Sequence, residues 1–165
     1  MKVLVATASR HGATDEIAAE IGRRLSDRGL DAVVVAVGDV TGLDGYDAVV
    51  LGSAVYMGRW LKEARQFVEA HSDELRARPT WLFSSGPIGD PPRPEEQEKG
   101  TTDEIVAATG ARDHQVFSGK VDKGGLSFPE RAVVRAVGAA EGDYRDWDEI
   151  RAWATEIATA LMPES

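Results

Sequence analysis

The chain opens on an apolar run, Val3-Leu4-Val5-Ala6, that passes directly into Thr7-Ala8-Ser9-Arg10-His11-Gly12-Ala13-Thr14 and then into a helical pattern. A buried strand that gives way to hydroxyls and a glycine, and then to a helix, builds an anion site largely from main chain. The first N–H groups of a helix lack intrahelical acceptors, and the helix dipole adds partial positive charge there. Thr7, Ser9 and Thr14 contribute hydroxyl donors, and Gly12 removes the Cβ that would keep the backbone off an anion. The run contains neither the Gly-Lys-Ser/Thr of a triphosphate loop nor the G-x-G-x-x-G of dinucleotide sheets. Taken alone, it also fits an ordinary strand–loop–helix turn capped by threonine.

Strands and helices alternate through the rest of the 165 residues. Strands are expected at 2–6, 32–37, 48–51, 80–83 and 114–121. A first helix over 14–25 carries the apolar stripe Ile17, Ala18, Ile21 and Leu25, with Asp15 and Glu16 in its first turn. A second helix carries Trp60, Leu61, Ala64, Phe67, Val68 and His71 on one face, and a short one is expected over 102–109. The last begins at Asp146, with Glu149 completing a capping box and Ile150, Trp153, Ile157 and Leu161 as its stripe. The segment 90–100, rich in Pro, Glu and Lys, reads as a mobile loop. Residues 122–145 form an insertion too long for a turn, with a helix expected over 129–140. The pattern predicts one α/β domain over 1–165: a doubly wound, five-stranded parallel sheet of order 2-1-3-4-5 in three α/β/α layers.

In that topology the loops after strands one, three and four leave the same carboxyl edge. The second is Ser53-Ala54-Val55-Tyr56-Met57-Gly58-Arg59-Trp60, and the third Ser84-Ser85-Gly86-Pro87-Ile88-Gly89-Asp90. Tyr56, Met57 and Trp60 offer apolar and π surface, though each also suits a core. The glycines with Ser84 and Ser85 offer closely approaching N–H groups, though the serines also suit a turn. A flat heteroaromatic ring with a phosphate tail fits this convergence, and flavin mononucleotide (FMN) is such a ligand. His11 is expected near the phosphate or in solvent, and His71 and His114 as structural residues. The three histidines show no metal-ligand spacing. A phospho-acceptor receiver sheet of similar topology is excluded, because no acidic residue ends strand one or follows strand three at once.

Charge and composition narrow the partners. With 19 basic and 28 acidic residues the net charge is −9, which disfavours nucleic acid and anionic membrane surfaces but suits docking on a basic protein patch. Without cysteine there is no disulfide, thiol catalysis or iron–sulfur ligation. No apolar stretch approaches the roughly 20 residues of a membrane span, and the run before Ala6-Thr7-Ala8 is too short for a signal peptide. A cytoplasmic protein with at most transient membrane contact is expected, and a homodimer remains compatible with the sequence.

Residues 8–14, the run Gly52-Ser53-Ala54-Val55-Tyr56-Met57-Gly58 and Phe83-Ser84-Ser85-Gly86-Pro87 resemble the flavodoxin-domain group that includes bacterial menaquinone-dependent protoporphyrinogen dehydrogenases. Phe117-Ser118-Gly119-Lys120-Val121-Asp122, the opening Asp146-Trp147 and the intervening insertion are similar to that group as well. The resemblance implies a flavodoxin-like fold and FMN. By position, Thr7, Ser9, Arg10, His11, Gly12, Ala13 and Thr14 would hold the phosphate. Ser53, Ala54, Val55, Tyr56, Met57 and Gly58 on one side, and Ser84, Ser85, Gly86, Pro87 and Gly89 on the other, would flank the ring. The insertion lacks the aromatic and strongly basic character of the porphyrinogen enzymes, and the third loop lacks the tyrosine that covers the flavin in many carriers.

Two functions of different class are expected. One is a flavin-dependent oxidoreductase passing two electrons from a small-molecule substrate to a quinone or another acceptor. The other is a one-electron carrier docking on redox partner proteins. No side chain stands out as acid or base; Arg10 is the candidate cation near the phosphate, and Arg59 the candidate for a substrate carboxylate or the flavin edge. Because Arg59 and Lys62 stand where carriers crowd carboxylates, an anionic reduced flavin is expected to be less destabilised than in an acidic carrier.

Overall fold

The computed structural model describes residues 1–9, 13–56, 59–85, 103–117, 120–121, 142–143 and 147–162. Strand β1 (Lys2–Ala8) leads into helix α1 (Ala13–Asp27), β2 (Asp31–Ala36) and a 3-10 turn at Val37–Asp39. Then come β3 (Ala48–Tyr56), β4 (Arg59–Trp60), α2 (Lys62–Arg76) and β5 (Thr80–Ser85). Helix α3 (103–109) precedes β6 (Asp113–Phe117). The two short strands β7 (Lys120–Val121) and β8 (Gly142–Asp143) precede the final helix α4 (Trp147–Leu161).

The main sheet runs β2-β1-β3-β5-β6, all parallel, which is the expected order of the five long strands. It differs from expectation in having a sixth member: β4 turns back antiparallel on β3, pairing Val55 with Trp60 and Tyr56 with Arg59. The expected fifth strand also divides. It ends at Phe117, and Lys120–Val121 pairs instead with Gly142–Asp143, drawing the two ends of the insertion together. The helix expected over 129–140, the loop 90–100 and the capping residue Asp146 lie outside the described residues.

Both faces of the sheet are covered, so its central strands read as continuous apolar runs. Along β1 the faces alternate. Val3 and Val5 pack with Ile17, Ile21 and Leu25 of α1 and with Ile150, Trp153, Ile157 and Leu161 of α4. Leu4, Ala6 and Ala8 face Ala64, Phe67 and Val68 of α2 and Ile105 of α3. Arg151 of α4 reaches Glu20 of α1 at 3.0 Å, tying the first layer together. Gly29, at φ +91°, ends α1 in the left-handed conformation while Leu30 N–H returns to the Leu25 carbonyl. No helix among the described residues is long and apolar enough to cross a membrane.

The sequence predicts that β3 ends at Leu51, before Gly52-Ser53. It continues to Tyr56: Thr7 and Ala8 on one side and Phe83, Ser84 and Ser85 on the other pair Gly52 to Ala54, and β4 pairs Val55 and Tyr56. Gly52 has a packing reason instead. A Cβ there would lie 2.1 Å from Phe83 Cζ. The Phe83 ring cannot readily retreat, because it stacks against Phe117 and Trp153, each with centroids 6.0 Å away. Gly52→Ala is therefore expected to cost about 1–3 kcal/mol through overpacking. Urea unfolding checks this, and the loss should shrink when Phe83→Leu opens the space.

Candidate functional site

The parallel ladders set the ends of β1, β3 and β5 side by side. Ala8 pairs with Ser53, Ser53 with Ser84, and Ala54 with Ser85. The three loops singled out in the sequence therefore leave one edge next to one another, and α1 starts at Ala13 directly behind β1.

At the first of these ends, the Thr7 hydroxyl is buried and donates to Asp15 Oδ1 at 2.7 Å. This bond ties the end of β1 to the first turn of α1. It also commits the proton that an anion would need, so Thr7 fixes the junction instead of offering a free donor. Thr14 is buried at the head of α1, and Ser9 is partly exposed after β1. Arg10, His11 and Gly12 lie outside the described residues, as does the side chain of Ala13.

The β3–β4 hairpin is fastened at its exit by three bonds. Leu61 N–H donates to Ser53 Oγ at 3.0 Å, and Ser53 Oγ–H donates to the Ala54 carbonyl at 2.8 Å. Arg65 Nε–H donates to the Trp60 carbonyl at 3.1 Å. Trp60 Nε1–H donates to Ser84 Oγ at 2.7 Å, and Ser84 Oγ sits 2.8 Å from His114 Nε2.

This geometry corrects the expectation that Trp60 offers π surface, and it gives the Ser84 side chain its partners. Trp60 is core: its indole is 1% exposed and packs with Leu61, Ala64 and Phe67, so it presents no π surface at the edge. The Ser84 hydroxyl is wholly buried and bonded on the α2 side of the sheet, and the residue itself is paired with Ser53 on one side and Val116 on the other. Ser53 is likewise buried and serves as a latch for Leu61. Ala54 and Val55 are partly exposed, Arg59 is exposed, and Ser85 is buried. Met57, Gly58, Gly86, Pro87 and Gly89, with the Tyr56 side chain, lie outside the described residues.

His114 escaped the sequence reading as part of this edge. Its link to Ser84 crosses from β5 to β6, thirty residues apart, and only strand register reveals it. Burial holds its proton affinity below the ordinary value of 6.5, against the pull of Asp113 and then Asp103. His71, by contrast, bonds Glu74 at 3.1 Å and stacks near Phe67, a structural role as expected. Among the described residues no three His, Asp or Glu side chains converge as metal ligands.

Comparison with known proteins agrees with this architecture. Residues 4–148 match the family described as "Flavodoxin domain". The chain belongs to the flavodoxin domain family. Protoporphyrinogen IX dehydrogenase (quinone) of Escherichia coli is 24% identical to it over 174 aligned positions, covering 96% of this chain and 95% of that protein. Flavodoxin 2 of Bacillus cereus superimposes with a TM-score of 0.68 at 20% identity, covering 98% of this chain and 100% of that one. Rubredoxin oxygen:oxidoreductase of Desulfovibrio gigas gives 0.65 at 15% identity, covering 97% of this chain but 36% of the larger one.

For a flavodoxin-domain flavoprotein the residues present fit a flavin. Helix α1 begins directly behind β1 with Thr14 at its head, which is where a phosphate tail would sit, and the β3 and β5 ends pair alongside. Two outcomes follow from the buried network. Ser84→Ala strands the Trp60 N–H and should lower unfolding free energy by about 1–3 kcal/mol, read by urea denaturation. Below pH 6.5 the unfolded chain takes up a proton that folded His114 resists. Stability present above that pH should fall as the solution is acidified, by at most about 1.4 kcal/mol per unit from this residue. His114→Gln should flatten that part of the slope.

Proposed function

We propose that this flavodoxin-domain protein is an FMN-dependent oxidoreductase that takes two electrons from a small-molecule substrate and passes them to a quinone. The observation that carries the reading is the register of β1, β3 and β5, which brings the three loops to one edge beside the head of α1. The full-length likeness to a quinone-linked protoporphyrinogen IX dehydrogenase supports the reaction class.

In this reading the main-chain N–H groups of residues 10–14, with the Ser9 and Thr14 hydroxyls, hold the phosphate, and Arg10 and His11 add positive or donor character. Thr7, through Asp15, fixes the turn that presents them. Residues 53–58 and the main chain of 84–89 flank the ring. Bound there, the flavin supplies an acceptor and donor of electrons, singly or in pairs. Arg59, exposed on β4, meets an anionic substrate group or the flavin edge, and Lys62 adds a second cation close in sequence. The protein works in the cytoplasm, with at most transient contact with a membrane where its quinone resides.

A second reading, a one-electron carrier docking on redox proteins, is favoured by the fold shared with flavodoxins and by the net charge of −9. Anaerobic assays separate the two: oxidation of protoporphyrinogen with a menaquinone analogue as acceptor supports the enzyme, and reduction of protein partners alone supports the carrier.

The purified protein should be yellow, or should quench added FMN fluorescence with micromolar or tighter affinity. A colourless preparation that leaves FMN fluorescence unchanged refutes the reading. Thr14→Val, which removes one hydrogen bond to a charged group, should weaken FMN binding by about tenfold or more, with riboflavin, which has no phosphate, affected less.

A further inference from the structure

The Trp60–Ser84–His114 chain has a direction. An indole N–H only donates, so Ser84 Oγ accepts from Trp60. Ser84 is wholly buried, so its own proton requires a buried acceptor, and the lone pair of His114 Nε2, 2.8 Å away, can fill that part. That assigns His114 as the neutral tautomer with hydrogen on Nδ1. When the imidazolium forms, Nε2 becomes a donor. Ser84 Oγ then faces two N–H groups and its own proton loses its acceptor inside the sheet.

We propose that His114 is a positioning residue for the flavin site: through Ser84 it sets how firmly Trp60 closes the β3–β4 hairpin, and its protonation loosens that hairpin. The proposal rests on the flavin reading above. Trp60 is the last residue of β4 and the covalent exit of the hairpin, so a weakened Nε1 bond acts directly on the segment assigned to the ring. The remaining fastenings, Leu61 on Ser53 and Arg65 on the Trp60 carbonyl, do not involve a titrating imidazole.

The charged groups acting on His114 among the described residues are Asp113 on its own strand and Asp103 on α3, both favouring the proton. The Asp113 carboxylate is in part occupied, accepting the His114 main-chain N–H at 2.9 Å and Trp153 Nε1–H of α4 at 2.9 Å. From β5 the imidazole meets the Ser84 hydroxyl. Burial outweighs both carboxylates, so the neutral form is the resting one. Flavin held by the closed hairpin must then disfavour the proton by the same factor that the proton disfavours flavin.

The test titrates FMN into the full chain by fluorescence quenching between about pH 7.5 and pH 5.5, spanning the histidine range. Wild type, His114→Gln and Ser84→Ala are compared. Protonation of the FMN phosphate affects all three equally, so the comparison isolates the protein. Wild type should lose about five- to tenfold more affinity on acidification than His114→Gln. Ser84→Ala should bind more weakly throughout and follow the flatter profile. Parallel profiles for wild type and His114→Gln overturn the proposal while leaving the flavin reading intact; no FMN binding by wild type at any pH overturns both. Should either variant fail to fold, NMR titration of His114 in wild type decides the matter. Its midpoint must fall when saturating FMN is added, and an unmoved midpoint overturns the proposal.

Discussion

The pairing of β3 with β1 on one side and β5 on the other governs the functional edge. A parallel ladder has evenly spaced, slanted bonds, so fixing one pair along it fixes every other. With Val3 on Ala48 and Val49 on Thr80, the ends of the three strands have no freedom to slip past one another. A slip of one residue would also turn Val3 and Val5 from the α1 and α4 face to the α2 face, exchanging the two cores. The cost of such an exchange exceeds anything a loop could return. The absence of a side chain at Gly52 belongs to the same constraint. It lets Phe83 lie against β3 and so sets the β5 end, Phe117 and Trp153 in one aromatic layer beneath the site.

What the sequence made legible follows from this logic. Strands covered on both faces announce themselves as unbroken apolar runs, and the stripes of α1 and α4 carry the 3.6-residue period, so Ile17, Ile21, Ile150, Trp153 and Ile157 could all be assigned to the core. The β1–α1 junction was visible because helix initiation has local signals. Less visible was anything that depends on partners across strands. Gly52 and Ser53 look like a turn by residue type, yet they are ladder residues because β1 and β5 extend beside them. Trp60 and Ser84 are 24 residues apart and look like ring contacts one at a time; side by side they satisfy each other and leave the surface. β4, two residues long, has no periodicity to read.

The hydroxyls at the edge divide the labour of the site. Thr7, Ser53 and Ser84 each spend their hydrogen bonds inward, on Asp15, on Leu61 and Ala54, and on Trp60 and His114. A buried polar side chain left unpaired is costly, so these groups cannot serve a ligand without giving up their partners. What the frame offers outward is main chain, held in place by those bonds. Main-chain donors recognise a phosphate or a ring edge irrespective of the side chains around them. Such a frame tolerates wide divergence in sequence: this chain is 20% identical to Flavodoxin 2 of Bacillus cereus and 24% identical to the Escherichia coli protoporphyrinogen IX dehydrogenase.

Beyond the frame, the hairpin exit carries charged side chains. The chain is acidic overall, yet the short stretch that leaves the hairpin carries Arg59 and Lys62, both exposed, before Glu63 opens the acidic turn of α2. Salt screens charges beyond about 10 Å, so the field at the hairpin exit is set by the charges nearest to it. The local pair therefore outweighs the net charge in setting the field at the edge. In the proposed flavin reading, a positive local field would favour an anion forming there. Both the cationic pair and the net charge of −9 are thus felt only within about a Debye length of the surface, where the nearer charges dominate.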